Sequence, residues 1–334
     1  MHRRTLLTAA LALGVAGCTA APAPSGTPSA STPAARATIG LSYIPNVQFA
    51  PFYVAEAQQL FAGVEAQVSL RHHGATEGLF TALTSGNEDF LVAAGSEAMQ
   101  ARAEGVDVIA VGAYYKAFPV DVIVLGSSPI KELADLKGRS LGVPGRFGES
   151  WLGAQVALAS AGLTEQDVTI VEVGFTQRAA LTEKKVDAVV GFRTNELVQL
   201  KLAGAEPRAL PVASGTVPLV STCLLTSKAY ADKNPAVVRQ VVAATGKAIE
   251  ATTADRSGAI DLAAKQIPGW TASARPNAEA VLDATIDLMG LTDGRFAPAL
   301  DAAQWQAMAE FLTTSKLIAK PVAAADAFSN AYAG

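Results

Sequence analysis

Polar and aromatic side chains gather where the chain leaves short apolar segments, and their types suit holding a flat ligand rather than breaking a bond. Asn46 and Gln48, carboxamides that donate and accept, directly follow the first such segment. Ser96 and Glu97 follow the segment ending at Ala94, and Asn195 and Glu196 follow the one ending at Phe192. A carboxylate in either place can accept hydrogen bonds from the amino or imide N–H groups of a heterocycle. It can equally cap the helix it opens, because Glu in a first turn is favoured by the helix dipole alone. Ring faces able to stack on such a ligand come from Tyr43, Tyr115, Phe147, Phe175 and Phe192. In Gly145-Arg146-Phe147-Gly148, the glycines let backbone N–H groups approach a ligand at a helix start, and Arg146 and Ser150 there suit a phosphate or a hydroxylated chain. The other reading of that loop is a plain tight turn.

Catalytic constellations do not appear in these stretches. Gly148-Glu149-Ser150 begins like a hydrolase nucleophile elbow, but Leu152 stands where glycine is required. His72 and His73 are adjacent, and neighbours on a strand point to opposite faces, so they neither chelate one metal nor serve Ser150. There is no HExxH, CxxC or GxGxxG pattern, and neither a metal nor a cofactor is expected.

These groups need a scaffold that sets several segment ends side by side. Residues 37–43, 67–71, 90–94 and 106–113 read as strands alternating with helices at 51–61, 77–84 and 97–103. That order predicts an α/β fold with a mostly parallel sheet covered by helices, which binds ligands beyond the carboxyl ends of its strands. A second unit repeats it, with strands 119–125, 140–143, 168–173, 188–192 and 220–226, a short helix after Ser128-Pro129, and helices 149–160, 177–184 and 196–202. Helices follow at 235–252, 256–266, 277–289 and 303–313. Two units joined by more than one crossing imply a cleft between lobes. Lobe 1 is read as 38–118 plus 227–334, lobe 2 as 119–226, with hinges near 118–126 and 213–226.

The 334 residues are 50% hydrophobic and 17% charged, with much of the apolar share in Ala and only 21 aromatics. That excludes a disordered chain and a multi-span membrane protein, and the net charge of −4 argues against a nucleic-acid partner. Eleven aromatics fall at or just beyond expected strand ends or in the next helix turn: the five above and Phe49, Phe52, Tyr53, Tyr114, Phe118 and Trp151. For Phe52, Tyr53 and Trp151 core packing is an equal expectation.

At the N-terminus Arg3 and Arg4 precede an apolar run at 6–15, too short to span a membrane as a mature helix. Val15-Ala16-Gly17-Cys18 resembles a bacterial lipobox, which implies a signal peptide over 1–17 and lipid on the sulfur of Cys18. An ordinary signal peptide is the other reading. Buried acyl chains contribute about 0.8 kcal/mol per CH₂, so two or more hold a soluble domain at a bilayer. The processed chain has 24 basic against 30 acidic residues, a net of −6, and Cys223 as its remaining thiol, read as a buried small hydrophobe. Residues 18–37, mostly Thr, Ala, Pro and Ser, read as a disordered tether.

Several segments carry a family resemblance. Residues 40–46 (GLSYIPN), 50–55 (APFYVA), 129–138 (PIKELADLKG), 174–177 (GFTQ), 185–191 (KVDAVVG) and 195–196 (NE) resemble substrate-binding proteins of the thiamine-pyrimidine-precursor group of ABC importers, over most of 38–255. Residues 43–49 (YIPNVQF), 115–119 (YKAFP) and 144–148 (PGRFG) are most similar to the riboflavin-uptake branch, while nitrate, taurine and sulfonate binders share the general opening. The resemblance implies a two-lobed periplasmic-binding-protein fold of type 2 that closes on a small heterocyclic ligand and delivers it to a permease with its ATPase. It implies an extracytoplasmic, lipid-anchored monomer. Asn46 and Gln48 match the place where this family touches ligand. The alternatives are the same architecture for a small anion, which predicts a basic, ring-poor pocket, and a secreted enzyme of the pyrimidine-synthase type, whose Cys-rich segment this chain lacks.

Overall fold

Runs rich in Val, Leu, Ile and Ala become strands buried on both faces, as expected where helices cover a sheet. The computed structural model describes residues 36–74, 77–212 and 217–334. Its strands are β1 (Arg36–Leu41), β2 (Gln67–His72), β3 (Phe90–Ala94), β4 (Ile109–Ala113), β5 (Val120–Leu125), β6 (Ser140–Val143), β7 (Thr169–Glu172), β8 (Ala188–Phe192), β9 (Pro207–Pro211) and β10 (Thr222–Thr226). The expected signal peptide, Cys18 and the tether up to residue 35 lie outside the described residues. Arg36 and Ala37, expected in the tether, belong instead to β1, and Ala37 is fully buried.

Two five-stranded sheets result, of order β2-β1-β3-β10-β4 and β7-β6-β8-β5-β9. The expected mostly parallel sheets are mixed. In each, four strands run one way and the fifth, β10 or β5, is antiparallel to both neighbours. Those two antiparallel strands carry the chain across from the other sheet. β10 therefore belongs to the first sheet, which corrects the assignment of residues 222–226 to lobe 2. Sequence order does not reveal which sheet a returning strand joins; the ladder from Thr222–Thr226 to β3 and β4 does. β9 went unforeseen: its flanking prolines and Arg208 break the apolar pattern, and an edge strand tolerates both.

The helices are α1 (Ala50–Ala57), α2 (Thr81–Thr84), α3 (Gly95–Ala103), α4 (Gly148–Ser160), α5 (Gln177–Thr182), α6 (Glu196–Leu202), α7 (Lys228–Lys233), α8 (Pro235–Ala254), α9 (Arg256–Gln266), α10 (Arg275–Met289), α11 (Ala302–Thr314) and α12 (Ala324–Ala327). α8 buries Val237, Val238, Val241, Val242 and Ile249, a helical stripe, and packs on α1. The expected helix at 77–84 keeps only its last turn, because Arg71 holds the Glu77 carboxylate at 2.7 and 2.8 Å outside it. Among the described residues no helix is long and apolar enough to cross a membrane.

The two crossings lie side by side. The Thr222 carbonyl accepts from the backbone N–H of both Tyr114 and Tyr115 at 2.9 Å, and Ser221 Oγ donates to the Ala117 carbonyl at 2.8 Å. The ends of β1, β3, β6 and β8 thereby face one cleft.

Candidate ligand-binding cleft

A cavity of about 570 Å³ is walled by loops that follow the strands of both sheets. From the first sheet come Tyr43, Asn46, Gln48, Glu97 and Tyr115; from the second come Phe147, Ser150, Phe175, Phe192, Asn195 and Glu196. All were expected from sequence. Ser96 is the exception: it is fully buried, its Oγ has no partner, and it does not line the cavity. Successive helical residues are turned by roughly 100°, so with Glu97 aimed at the cavity Ser96 faces the protein interior.

Local geometry fixes each polar group. Asn46 Oδ1 accepts from the Gln48 N–H at 3.1 Å and caps the turn Val47–Phe49, leaving its NH₂ for the cleft. Glu97 Oε2 accepts from the Ala94 N–H at 3.2 Å, and Glu196 Oε2 from the Phe192 N–H at 2.7 Å, with Asn195 Nδ2 donating to Glu196 Oε1 at 2.8 Å. The glutamates thus do both things the sequence left open: each closes the start of its helix and lines the cavity. Burial raises the carboxyls of Glu97 and Glu196 above the ordinary carboxylate range. Gly148, at φ +70°, turns the chain into α4, and a Cβ at Gly145 would stand 2.3 Å from the Phe147 ring. The two glycines therefore let Phe147 fold over the cleft.

Seven of the eleven rings line the cavity: Tyr43, Phe49, Tyr114, Tyr115, Phe147, Phe175 and Phe192. Tyr43 meets Phe175 edge-on across the cleft with centroids 5.8 Å apart, and Phe147 meets Phe175 at 6.5 Å. Phe147 and Phe175 are 55% and 51% exposed, so unsatisfied apolar ring surface stands at the cleft mouth. Phe52 and Tyr53 are core, and Phe118 is buried outside the cavity. Trp151 lies under Arg146, 4.7 Å from guanidinium to ring centroid. Arg146 does not reach the cavity: it pairs with Glu165 and Glu172, partners remote in sequence.

Sequence reasoning missed Tyr114, Gln177, Glu149, His73 and Glu77 as cavity residues. Tyr114 was counted among the strand-end rings, and Glu149 and Gln177 each sit in the first turn of a helix after a strand, the signal that did pick out Glu97 and Glu196. His72 and His73 do point apart. His72 Nδ1 lies 2.9 Å from the Tyr43 carbonyl and Nε2 3.1 Å from the Tyr53 hydroxyl, while His73 Nε2 lies 2.9 and 3.0 Å from the Glu88 carboxylate. Burial lowers the pKa of His72, which is therefore neutral, with Nδ1–H donating. Arg71 pairs with both Glu77 and Glu88. Among the described residues lining the cavity there is no lysine or arginine. Cys223 is buried in β10, its thiol pushed up to about 12 by burial, and does not line the cavity.

Two mixed sheets, their ligand cleft at the strand ends and their paired crossings define a periplasmic-binding-protein fold of type 2. The alkanesulfonate-binding protein SsuA from Xanthomonas axonopodis pv. citri, solved bound to MOPS, has the same fold: TM-score 0.67 over 90% of this chain and 99% of that one, at 23% identity. The chain belongs to the NMT1/THI5-like family, whose model matches residues 46–259. It is 32% identical to the riboflavin-binding protein RibY of Chloroflexus aurantiacus over 94% of this chain and 89% of that protein. It is 26% identical to the formylaminopyrimidine-binding protein of Halalkalibacterium halodurans over 87% and 88% of the two chains. A 4-amino-5-hydroxymethyl-2-methylpyrimidine phosphate synthase of Legionella pneumophila is 24% identical over 50% and 52%.

Proposed function

We propose that this protein is the extracytoplasmic solute-binding component of an ABC importer and that it captures a flat aromatic heterocycle, riboflavin first and a thiamine-type aminopyrimidine second. One observation carries the reading: seven aromatic side chains from both sheets line a cavity that contains no lysine or arginine among its described residues. Its volume falls within the range of small-molecule sites. Ring faces supply stacking, while Asn46, Gln48, Glu196 and Asn195 supply orientation. A sulfonate or nitrate would need a cation to meet its charge, and it would sit instead among buried carboxyls. The synthase reading finds no thiol among the described residues that line the cavity, and the synthase relatives are 23–26% identical over 45–65% of the chain.

The paired crossings at 114–119 and 217–221 serve as the hinge, with the first sheet and the C-terminal helices as lobe 1 and β5 to β9 as lobe 2. In this reading the protein acts as a monomer that hands its ligand to a permease. Lipid on Cys18 is the proposed membrane anchor.

Thermal shift and native mass spectrometry with riboflavin, riboflavin phosphate, the aminopyrimidine of thiamine, and taurine test the proposal. Riboflavin should bind one to one and raise Tm. Stabilisation by taurine alone would overturn the reading.

A further inference from the structure

Two carboxyls from opposite sheets line the cleft, which has no lysine or arginine among its described lining residues. Glu97 opens α3 behind the first sheet and Glu149 opens α4 behind the second, and the two helices pack on each other. Both side chains line the cavity, Glu97 8% and Glu149 9% exposed. A Cβ on Gly148, the residue before Glu149, would stand 3.8 Å from Glu97 Oε1, so the first carboxyl reaches the backbone that carries the second. Glu97 has one partner, the Ala94 N–H. Glu149 Oε1 is buried without any, and so is the Oε1 of Gln177, which lines the same cavity from α5.

Two buried carboxylates side by side with no counter-charge would be costly, since neither water nor a cation repays their desolvation. One proton held between them removes the repulsion and leaves a donor and an acceptor together. We infer that Glu97 and Glu149 share one proton across the closed cleft, and that this pair, with the free acceptor of Gln177, forms the subsite that takes the hydroxyl or N–H donors of a neutral ligand. The inference deepens the functional reading above, on which its ligand class rests. Closing the cleft then takes up a proton, because the open lobes expose each carboxylate to water separately. Burial raises both groups, and Glu97 raises Glu149 further.

Other titratable groups lie on the elements packed around the pair. The Tyr115 phenol, after β4, is raised by burial, and so is the Cys223 thiol on β10. Lys116, behind Cys223, donates its Nζ to the Ala299 carbonyl at 2.7 Å. Asp121 on β5 is held by the Arg193 fork at 2.8 and 2.9 Å, Asp135 and Asp326 are exposed, and Glu196 lines the cavity from α6.

The test measures riboflavin affinity by flavin fluorescence from pH 5.5 to 8.5, together with Tm over the same range, for the wild-type chain and Glu149→Gln. Wild-type Kd should weaken up to tenfold per pH unit over the upper part of the range, and wild-type Tm should fall relative to the variant as pH rises. Glu149→Gln, which keeps the hydrogen-bonding shape and removes one carboxyl of the pair, should show a Kd that changes less with pH, since burial still raises Glu97. Riboflavin binding in the wild type with a flat pH profile would overturn the shared proton. If riboflavin bound at no pH, the functional reading would fall, and parallel Tm profiles of the two proteins would separately overturn the proton pair.

Discussion

Phe175→Ala is the sharpest probe of the cleft mouth. The ring is 51% exposed and touches Tyr43 and Phe147 only edge-on, so about half of its apolar surface remains to be covered when a ligand closes the cleft. Full burial of a Phe side chain contributes about 1.5–3 kcal/mol, so the uncovered half is worth ~1 kcal/mol. A ring-to-ring contact with a flat ligand adds about 0.5–1.5 kcal/mol. The sum, ~2 kcal/mol, corresponds to roughly a 30-fold rise in Kd. The cost to the fold is the other, already buried half, again ~1 kcal/mol, or a few degrees in Tm at most for a chain of this size. Titration of riboflavin fluorescence against wild type and variant, with a urea melt of each, separates the two effects. A variant that melts normally and binds within threefold of wild type would show that Phe175 stays outside the closed site, and the argument from exposed rings would fail with it.

Tyr115 behaves differently from a surface ring: it is 6% exposed and packs on Tyr114 at 4.9 Å, so Tyr115→Ala should cost about 3–5 kcal/mol of stability as well as affinity. Tyr115→Phe should fold normally, and a urea midpoint for Tyr115→Ala equal to wild type would refute the packing. Riboflavin phosphate should bind more weakly than riboflavin, because Arg146 is spent on Glu165, Glu172 and the Trp151 ring while the cavity walls carry carboxyls; equal affinities in the same fluorescence assay would count against this. His72 has its pKa lowered from 6.5 by burial, so the unfolded chain binds the extra proton and the neutral ring stabilises the fold above about pH 6.5. That contribution should be lost as pH falls below this value. Relative to His72→Gln, wild-type Tm should drop on acidification from pH 7 to 5, and an NMR titration placing His72 at or above 6.5 would contradict the assignment.

How much of this was readable in advance depended on whether the cause was local. β3, β6 and β8 begin and end where the sequence indicates, because an unbroken apolar run bounded by polar residues leaves little choice. The first-turn glutamates were readable for the same reason, since a helix start after a strand is visible in five or six residues. Arg146 was misjudged because its partners Glu165 and Glu172 arrive from β7 and the turn before it, which spacing along the chain does not announce. The sheet that β10 joins is likewise a long-range fact, fixed by its ladder to β3 and β4. Ser96 failed for a smaller reason: a single helical step decides which of two adjacent polar residues meets the cavity.

The duplicated topology explains why acids converge here. The sheets share one order, so β3 and β8 occupy the same place, each in line with the β1-like strand β1 or β6. The residue that ends each of these strands, Ala94 or Phe192, donates its N–H to the glutamate opening the next helix, Glu97 or Glu196. One capping arrangement, used once per sheet, therefore delivers a carboxyl to each side of the cleft, and Glu149 adds a third from α4. Because the caps tie Glu97 and Glu196 to the strand ends, those two cannot swing into water when the lobes approach. Closure must then bring a proton, or ligand donors, to every oxygen the backbone leaves unmet, and a ligand that brings only negative charge would oppose it.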